Sequence, residues 1–304
     1  MTLYAFSGAI EQGLVYGIMA LGVYITFRVL DFPDLTVDGS LPLGAAVCSV
    51  FIVSGWPPFL ALLPAMGAGF LAGMVTGLLT TKLRILHLLA SILTMTALYS
   101  INIRVMGGRP NIALIGRPTV FDSLAGLGLP PYLTSNLVFL AGVVIITGGL
   151  IWLIRTEFGQ ALLATGDNPR MITSLGVNTH FTIVLGVGLS NSLAALSGAL
   201  VAQNQGAADV SMGVGTIVAG LASIVVGETL LNSRKIQVRV LAVLLGSVTY
   251  RVAIALALSL KVKGFSFTPS DLNLITAALV ALALVMPRLK AAWAESSGRG
   301  RANA

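Results

Sequence analysis

The chain has 304 residues, 56% hydrophobic and only 10% charged, with a mean hydropathy of +0.93. A soluble domain carries about 25% charged residues, so this composition excludes an ordinary soluble fold and predicts an all-α polytopic membrane protein built as one bundle. The net charge of +7 reads as cytoplasmic Lys and Arg beside membrane spans rather than a nucleic-acid surface, and a lone Cys48 with only His87 and His180 leaves no intrachain disulfide and no metal site.

Apolar runs of bilayer length predict spans near 6–28, 40–54, 58–80, 86–105, 134–155, 181–203, 212–230, 237–259 and 271–287. The N-terminus has no basic region and no clean cleavage site, so it reads as a first span rather than a cleaved signal. Residues 1–290 form one membrane domain, followed by a flexible cytoplasmic tail at 291–304.

Between the first two runs lies LDFPDLTVDGSLPLGAAV, residues 30–47, with three acids (Asp31, Asp34, Asp38), two prolines, two glycines and no Lys or Arg. Pro33 and Pro42 remove backbone donors, and Gly39 and Gly44 allow a turn or a close helix approach. Ser40 is placed to cap a new helix with Pro42 in its first turn. Irregular backbone at membrane depth survives only where protein or a water-filled cavity covers it, and a cytoplasmic turn would be expected to carry Lys or Arg. The favoured reading is a dip toward a translocation path touching Asp34, Thr36, Asp38 and Ser40; the other is a solvated cytoplasmic turn.

The connector at 106–133 reads as an irregular outer cap with one short helix, bordered by Arg104, Arg109 and Arg117. It is either a spacer or a docking surface. The cytoplasmic connector at 156–180 contains Asn168 as a helix N-cap, Pro169 at the first helical position and Gly176 as a stop. The helix between them is about two turns, roughly 10 Å long, with Met171, Ile172 and Leu175 on one face. So short a helix is unstable alone in water; it packs on its own bundle or in a groove of a partner.

A second glycine-rich break, QNQGAADVSMGVGT at 203–216, contains Asp209 and precedes another short apolar helix. The helix after Gly39 is predicted to run outward and the one after Gly213 inward, as an inverted repeat would produce. Glu228 lies near the inner end of that helix, and Arg251 lies deep in the next span. An intramembrane arginine usually pairs with an acid. Glu11 and Glu228 are the candidates, and the alternative is contact with a substrate carboxylate. The bias of Lys and Arg places the N-terminus outside and the C-terminus inside, unless the 30–40 stretch makes an extra partial crossing.

No G-x-x-x-x-G-K-[ST], H-E-x-x-H or G-x-S-x-G occurs. The chain is therefore not read as an ATPase, protease or lipase.

The loop from Arg155 to Asn178 resembles the coupling loop of ABC-importer permeases of the branched-chain amino-acid and ribose permease superfamily. Gly159, Ala164, Gly166, Asn168, Gly176, Val177 and Asn178 match, while Leu163 stands where an arginine is usual. The 30–47 stretch, GSVTYRVAIALAL around Tyr250 and Arg251, and DLNLITA from Asp271 are similar to the tryptophan/tyrosine-type or uncharacterised branch of that superfamily. The resemblance implies a type II-like fold of about eight to ten helices acting as a dimer, either a homodimer or a pair with a different permease. It implies a separate ATPase subunit that binds ATP and Mg, contacted through Gly166, Asn168, Met171, Ile172, Leu175 and Gly176. It also implies an extracytoplasmic solute-binding protein, for which Arg104, Arg109 and Arg117 on the outer loop are the docking candidates; the breaks and embedded charges themselves give Asp34, Thr36, Asp38, Ser40, Asp209, Glu228 and Arg251 as the candidates for the path. The expected function is ATP-driven import of a small polar solute, such as an amino acid, across the bacterial inner membrane. A stand-alone ion-coupled secondary transporter is the alternative, since broken helices and membrane acids suit it too.

Overall fold

A computed structural model describes residues 3–122, 131–231, 233, 235–259 and a few positions between 261 and 285. The tail at 291–304, most of the expected last span at 271–287 and the outer segment 123–130 lie outside the described residues. The helices are α1 (Leu3–Tyr24), prolonged by a π-helical turn at Ile25–Val29, then α2 (Val37–Val53), α3 (Leu62–Thr81), α4 (His87–Val105) and α5 (Pro131–Arg155). They continue with α6 (Glu157–Asp167), α7 (Pro169–Ser174), α8 (Thr179–Gln205), α9 (Thr216–Leu230) and α10 (Ile236–Ser259). Two short strands, β1 (Asn111–Ala113) and β2 (Ala207–Asp209), pair antiparallel with Asn111 opposite Asp209.

Among the described residues six helices are long and apolar enough to cross a membrane: α1 with its π turn, α3, α4, α5, α8 and α10. The other two apolar helices, α2 and α9, have 17 and 15 residues. At 1.5 Å per residue they reach about 25 and 22 Å, short of the ~30 Å hydrocarbon core.

The bundle is organised around α8, which is buried along most of its length. Gly69, Gly73 and Gly77 put one small-residue edge of α3 against it, and a Cβ at Gly73 would overlap the Val187 carbonyl. With little hydrophobic force between helices in lipid, such close backbone approach is what holds a bundle together. Bonds across α8 give the chain directions. Ser190 and Ser197 donate to the Gly22 and Val15 carbonyls, so α1 runs antiparallel to α8. Ser40 meets Asn191 and Cys48 meets Gln203, so α2 runs parallel to it. The chain thus reverses between α1 and α2, and the 30–40 stretch makes no additional crossing.

Three features depart from expectation. Helix α2 begins at Val37 with Thr36 in the capping position, not after Gly39, so Ser40 caps nothing and sits inside the helix. The cytoplasmic connector holds an extra helix, α6, whose buried Gly159, Leu162 and Thr165 recur at helical spacing behind a Thr156 N-cap. The outer cap is stitched to the 207–209 segment by the β1–β2 ribbon, a pairing between segments too distant in sequence for local patterning to reveal.

Candidate functional site: two half-helices and a cytoplasmic loop

The first break is a buried polar knot. Asp34 is fully buried; one carboxylate oxygen accepts from the Thr36 amide at 2.9 Å, forming an Asx turn, and the other accepts from Asn191 Nδ2 at 2.7 Å. Asn191 also donates to the Val187 carbonyl at 2.9 Å and accepts from Ser40 Oγ at 2.7 Å. Thr36 and Thr76 share a hydroxyl bond of 2.8 Å. These side chains tie the break to α3 and to the middle of α8. Unpaired, each would cost kcal/mol in this setting. Asp34, Thr36 and Ser40 are therefore enclosed within the subunit here, beside the start of α2.

Asp38, in the first turn of α2, points the other way. Its carboxylate accepts from the Ile217 amide at 2.8 Å, Thr216 Oγ1 at 2.9 Å and the Gly215 amide at 3.1 Å. It is the N-terminal cap of α9, supplied from another helix, and it sits where the α9 dipole favours negative charge. Pro42, four residues on, has no amide to bond the Asp38 carbonyl. Gly213 packs against that carbonyl so closely that a Cβ would overlap it. Beside this junction Asn102 donates to the Gly39 carbonyl at 3.2 Å, and its own buried Oδ1 has no partner. Because Ser40 is level with Asn191, near the midpoint of α8, the N-termini of α2 and α9 meet at about half depth. From there α2 runs outward, parallel to α8. Helix α9 runs alongside α1 and so inward, with Gly220 against Val23 and Glu228 reaching Arg28. This is the inverted geometry expected from the two breaks.

The remaining charges fall elsewhere. Asp209 ends β2 in the outer ribbon, where it accepts from the Ser211 amide at 2.7 Å. Glu228 forms a two-pronged ion pair with Arg28, through Nε at 2.8 Å and through Nη2, at the inner ends of α9 and α1. A small cavity there is lined by Arg28, Glu228, Leu231, Ser233 and Arg239. Neither expected partner of Arg251 holds it: Glu228 is taken by Arg28, and Glu11 bonds Asn204. Instead the Arg251 guanidinium lies 3.8 Å over the Tyr16 ring, a cation–π contact. Depth alone selected the acids; the helix faces placed the arginine over an aromatic ring.

On the cytoplasmic side, Asn168 caps α7 by accepting from the Met171 amide at 3.0 Å, and Pro169 opens the helix. Gly176 ends this turn with φ of 88°, where a side chain would be strained. The three apolar residues do not share one free face. Ile172 is 8% exposed and packs inward, whereas Met171 and Leu175 are 50% and 69% exposed. Gly166 lies against the Val29 carbonyl at the end of the π turn, with no room for a Cβ. The loop is thereby keyed to the inner end of α1. On the other side Arg104, Arg109 and Arg117 are all exposed around the outer cap.

Comparison with known proteins fits this architecture. The family model described as "Branched-chain amino acid transport system / permease component" matches residues 5–286. The chain belongs to that permease family. A tyrosine transport system permease protein of Clostridioides difficile is 40% identical, covering 88% of this chain and 86% of the relative. An uncharacterized protein of Rickettsia prowazekii is 33% identical over 91% of this chain and 95% of its own length. A ribose import permease protein of Haemophilus influenzae is 27% identical over 78% and 72%. No solved structure matches. The permease is a multi-pass protein of the bacterial inner membrane with a transport role and no enzymatic one.

Proposed function

We propose that this permease is the membrane subunit of an ATP-driven importer. A separate ATPase binds ATP and Mg and drives alternating access, and an extracytoplasmic binding protein delivers a small polar solute. Likeness to the tyrosine transport permease favours an amino acid as cargo. The observation that carries the reading is α7. It is a capped two-turn helix that holds Met171 and Leu175 out toward the cytoplasm while Gly166 fixes its loop to the end of α1. A secondary transporter has no use for such a docking knob. Movement of the knob would reach the α1 end directly and, through Arg28 and Glu228, the inner end of α9. The test is copurification with the ATPase and binding protein encoded beside it, then uptake and ATPase assays on Leu175→Asp. This change places a charge in the expected groove of the partner, and the variant should fold yet lose coupled transport. Full stimulation of the ATPase with wild-type uptake would overturn the reading.

A further inference from the structure

Charge does not balance where the inner ends of α1, α9 and α10 converge. Arg28 is the last residue but one of the span formed by α1 and its π turn, and Arg239 is the fourth residue of α10. Glu228 stands two residues before α9 ends. With Leu231 and Ser233 these side chains line a cavity of about 260 Å³. Glu228 is the cavity's one acid, and Arg28 takes both of its carboxylate oxygens. The sequence holds no further Asp or Glu before Asp271. Arg239 meets neutral groups instead: its Nε donates to the Ser233 carbonyl at 3.0 Å, and the Tyr24 hydroxyl lies beside the same guanidinium. Arg239 also stands in the first turn of α10, with Lys235 just ahead of it, where the helix dipole disfavours cations. Both arginines and Lys235 are exposed, Arg28 at 55% in spite of its partner. A concave polar site with surplus positive charge is suited to an anion.

We propose that this cavity binds the phosphate of an anionic phospholipid from the inner leaflet, between Arg28 and Arg239. Two features favour a lipid over a free phosphate. The cations lie in the last and first turns of membrane-length helices, at the depth of the headgroups, and basic pockets between helices on the cytoplasmic side suit lipid phosphates. Leu231 in the wall and Leu230 beside it, 54% exposed, offer apolar surface to the glycerol end of the acyl chains. The bound phosphate ties three helix ends together: Arg28 on α1, Arg239 on α10 and, through the Arg28 ion pair, Glu228 on α9. The inference goes beyond the importer reading and does not depend on it. It requires only that these helices end at the inner membrane surface.

The test uses the full chain in nanodiscs of equal phosphatidylglycerol and phosphatidylcholine. Native mass spectrometry counts the lipids that stay bound. Separately, the melting temperature in detergent is followed as phosphatidylglycerol, phosphatidylcholine or inorganic phosphate is added. The wild-type chain should retain phosphatidylglycerol in preference to phosphatidylcholine, and phosphatidylglycerol should raise the melting temperature saturably. Arg239→Gln should weaken that binding roughly tenfold by removing a charge-assisted contact. Ser233→Asp should do the same by adding a negative charge, while keeping a side-chain acceptor for the Lys235 amide; it decides the matter if Arg239→Gln fails to fold. Lys82→Gln, which removes an exposed cation at the inner end of α3, should leave binding unchanged. Equal retention of the two lipids, or phosphatidylglycerol binding that survives Ser233→Asp, overturns the proposal. So does an equal loss in Lys82→Gln, which would show general surface charge. Inorganic phosphate that matches the lipid's stabilisation and displaces it would make this a free-anion site and overturn the lipid assignment.

Discussion

Replacing Asn191 with leucine should be among the most damaging single changes in the transmembrane core. Leucine keeps the branched heavy-atom skeleton but is bulkier, so the change leaves no cavity and tests the lost hydrogen bonds together with some overpacking against Gly73. It removes the 2.7 Å bond to the Asp34 carboxylate and the 2.7 Å bond from Ser40, and both partners are fully buried. Losing a bond to a charged group costs roughly 1.5–3 kcal/mol, and stranding a buried hydroxyl costs about 1–3. A total near 4 kcal/mol follows, or a fall in melting temperature of roughly 6 °C for a chain of 304 residues at about 2.1 cal/mol/K of unfolding entropy per residue. Thermal unfolding followed by size-exclusion chromatography would measure it. The decisive comparison is a double-mutant cycle with Asp34→Asn. The Asp34 amide also loses its charge penalty, so the double variant should recover at least about 1 kcal/mol relative to the sum of the singles. Additive losses, or a drop of only 1–2 °C for Asn191→Leu, would show that this knot does not hold the break in place.

Other outcomes follow from the same contacts. Asp38→Asn should impair uptake more than Asp31→Asn, because Asp38 takes three hydrogen bonds from the start of α9; equal uptake by the two variants at matched expression would count against a role for the Asp38 cap in transport. Gly166→Val should cost about 1–3 kcal/mol by overlap with the Val29 carbonyl, and it should uncouple ATPase stimulation from uptake in whatever fraction still folds. Charge reversal at Arg109 and Arg117 should weaken binding-protein association most at low ionic strength, since screening sets in within about 10 Å at 0.1 M salt; an affinity loss independent of salt would point to shape instead of charge.

How much of this was legible before any coordinates depends on the range of the forces involved. Membrane spans come from local composition, because the bilayer demands a long apolar run whatever its neighbours are. The α7 cap and stop come from Asn168, Pro169 and Gly176, because capping is settled within a few residues. The two breaks were visible as proline, glycine and acid in otherwise apolar sequence. Helix α6 was within reach too, from Thr156 and the spacing of Phe158, Leu162 and Thr165, and so was the α3 seam, from Gly69, Gly73 and Gly77. What each acid does was not. Asp34 and Asp38 are four residues apart in one motif, yet one turns into α8 and the other caps α9, whose residues lie far along the chain. Arg251 found Tyr16 rather than an acid, and Glu228 found Arg28. Ile172 turned inward while Met171 and Leu175 stayed out. Such choices depend on which faces helices present once packed, and a periodic sequence leaves that rotation undetermined until neighbouring helices compete for the same surface.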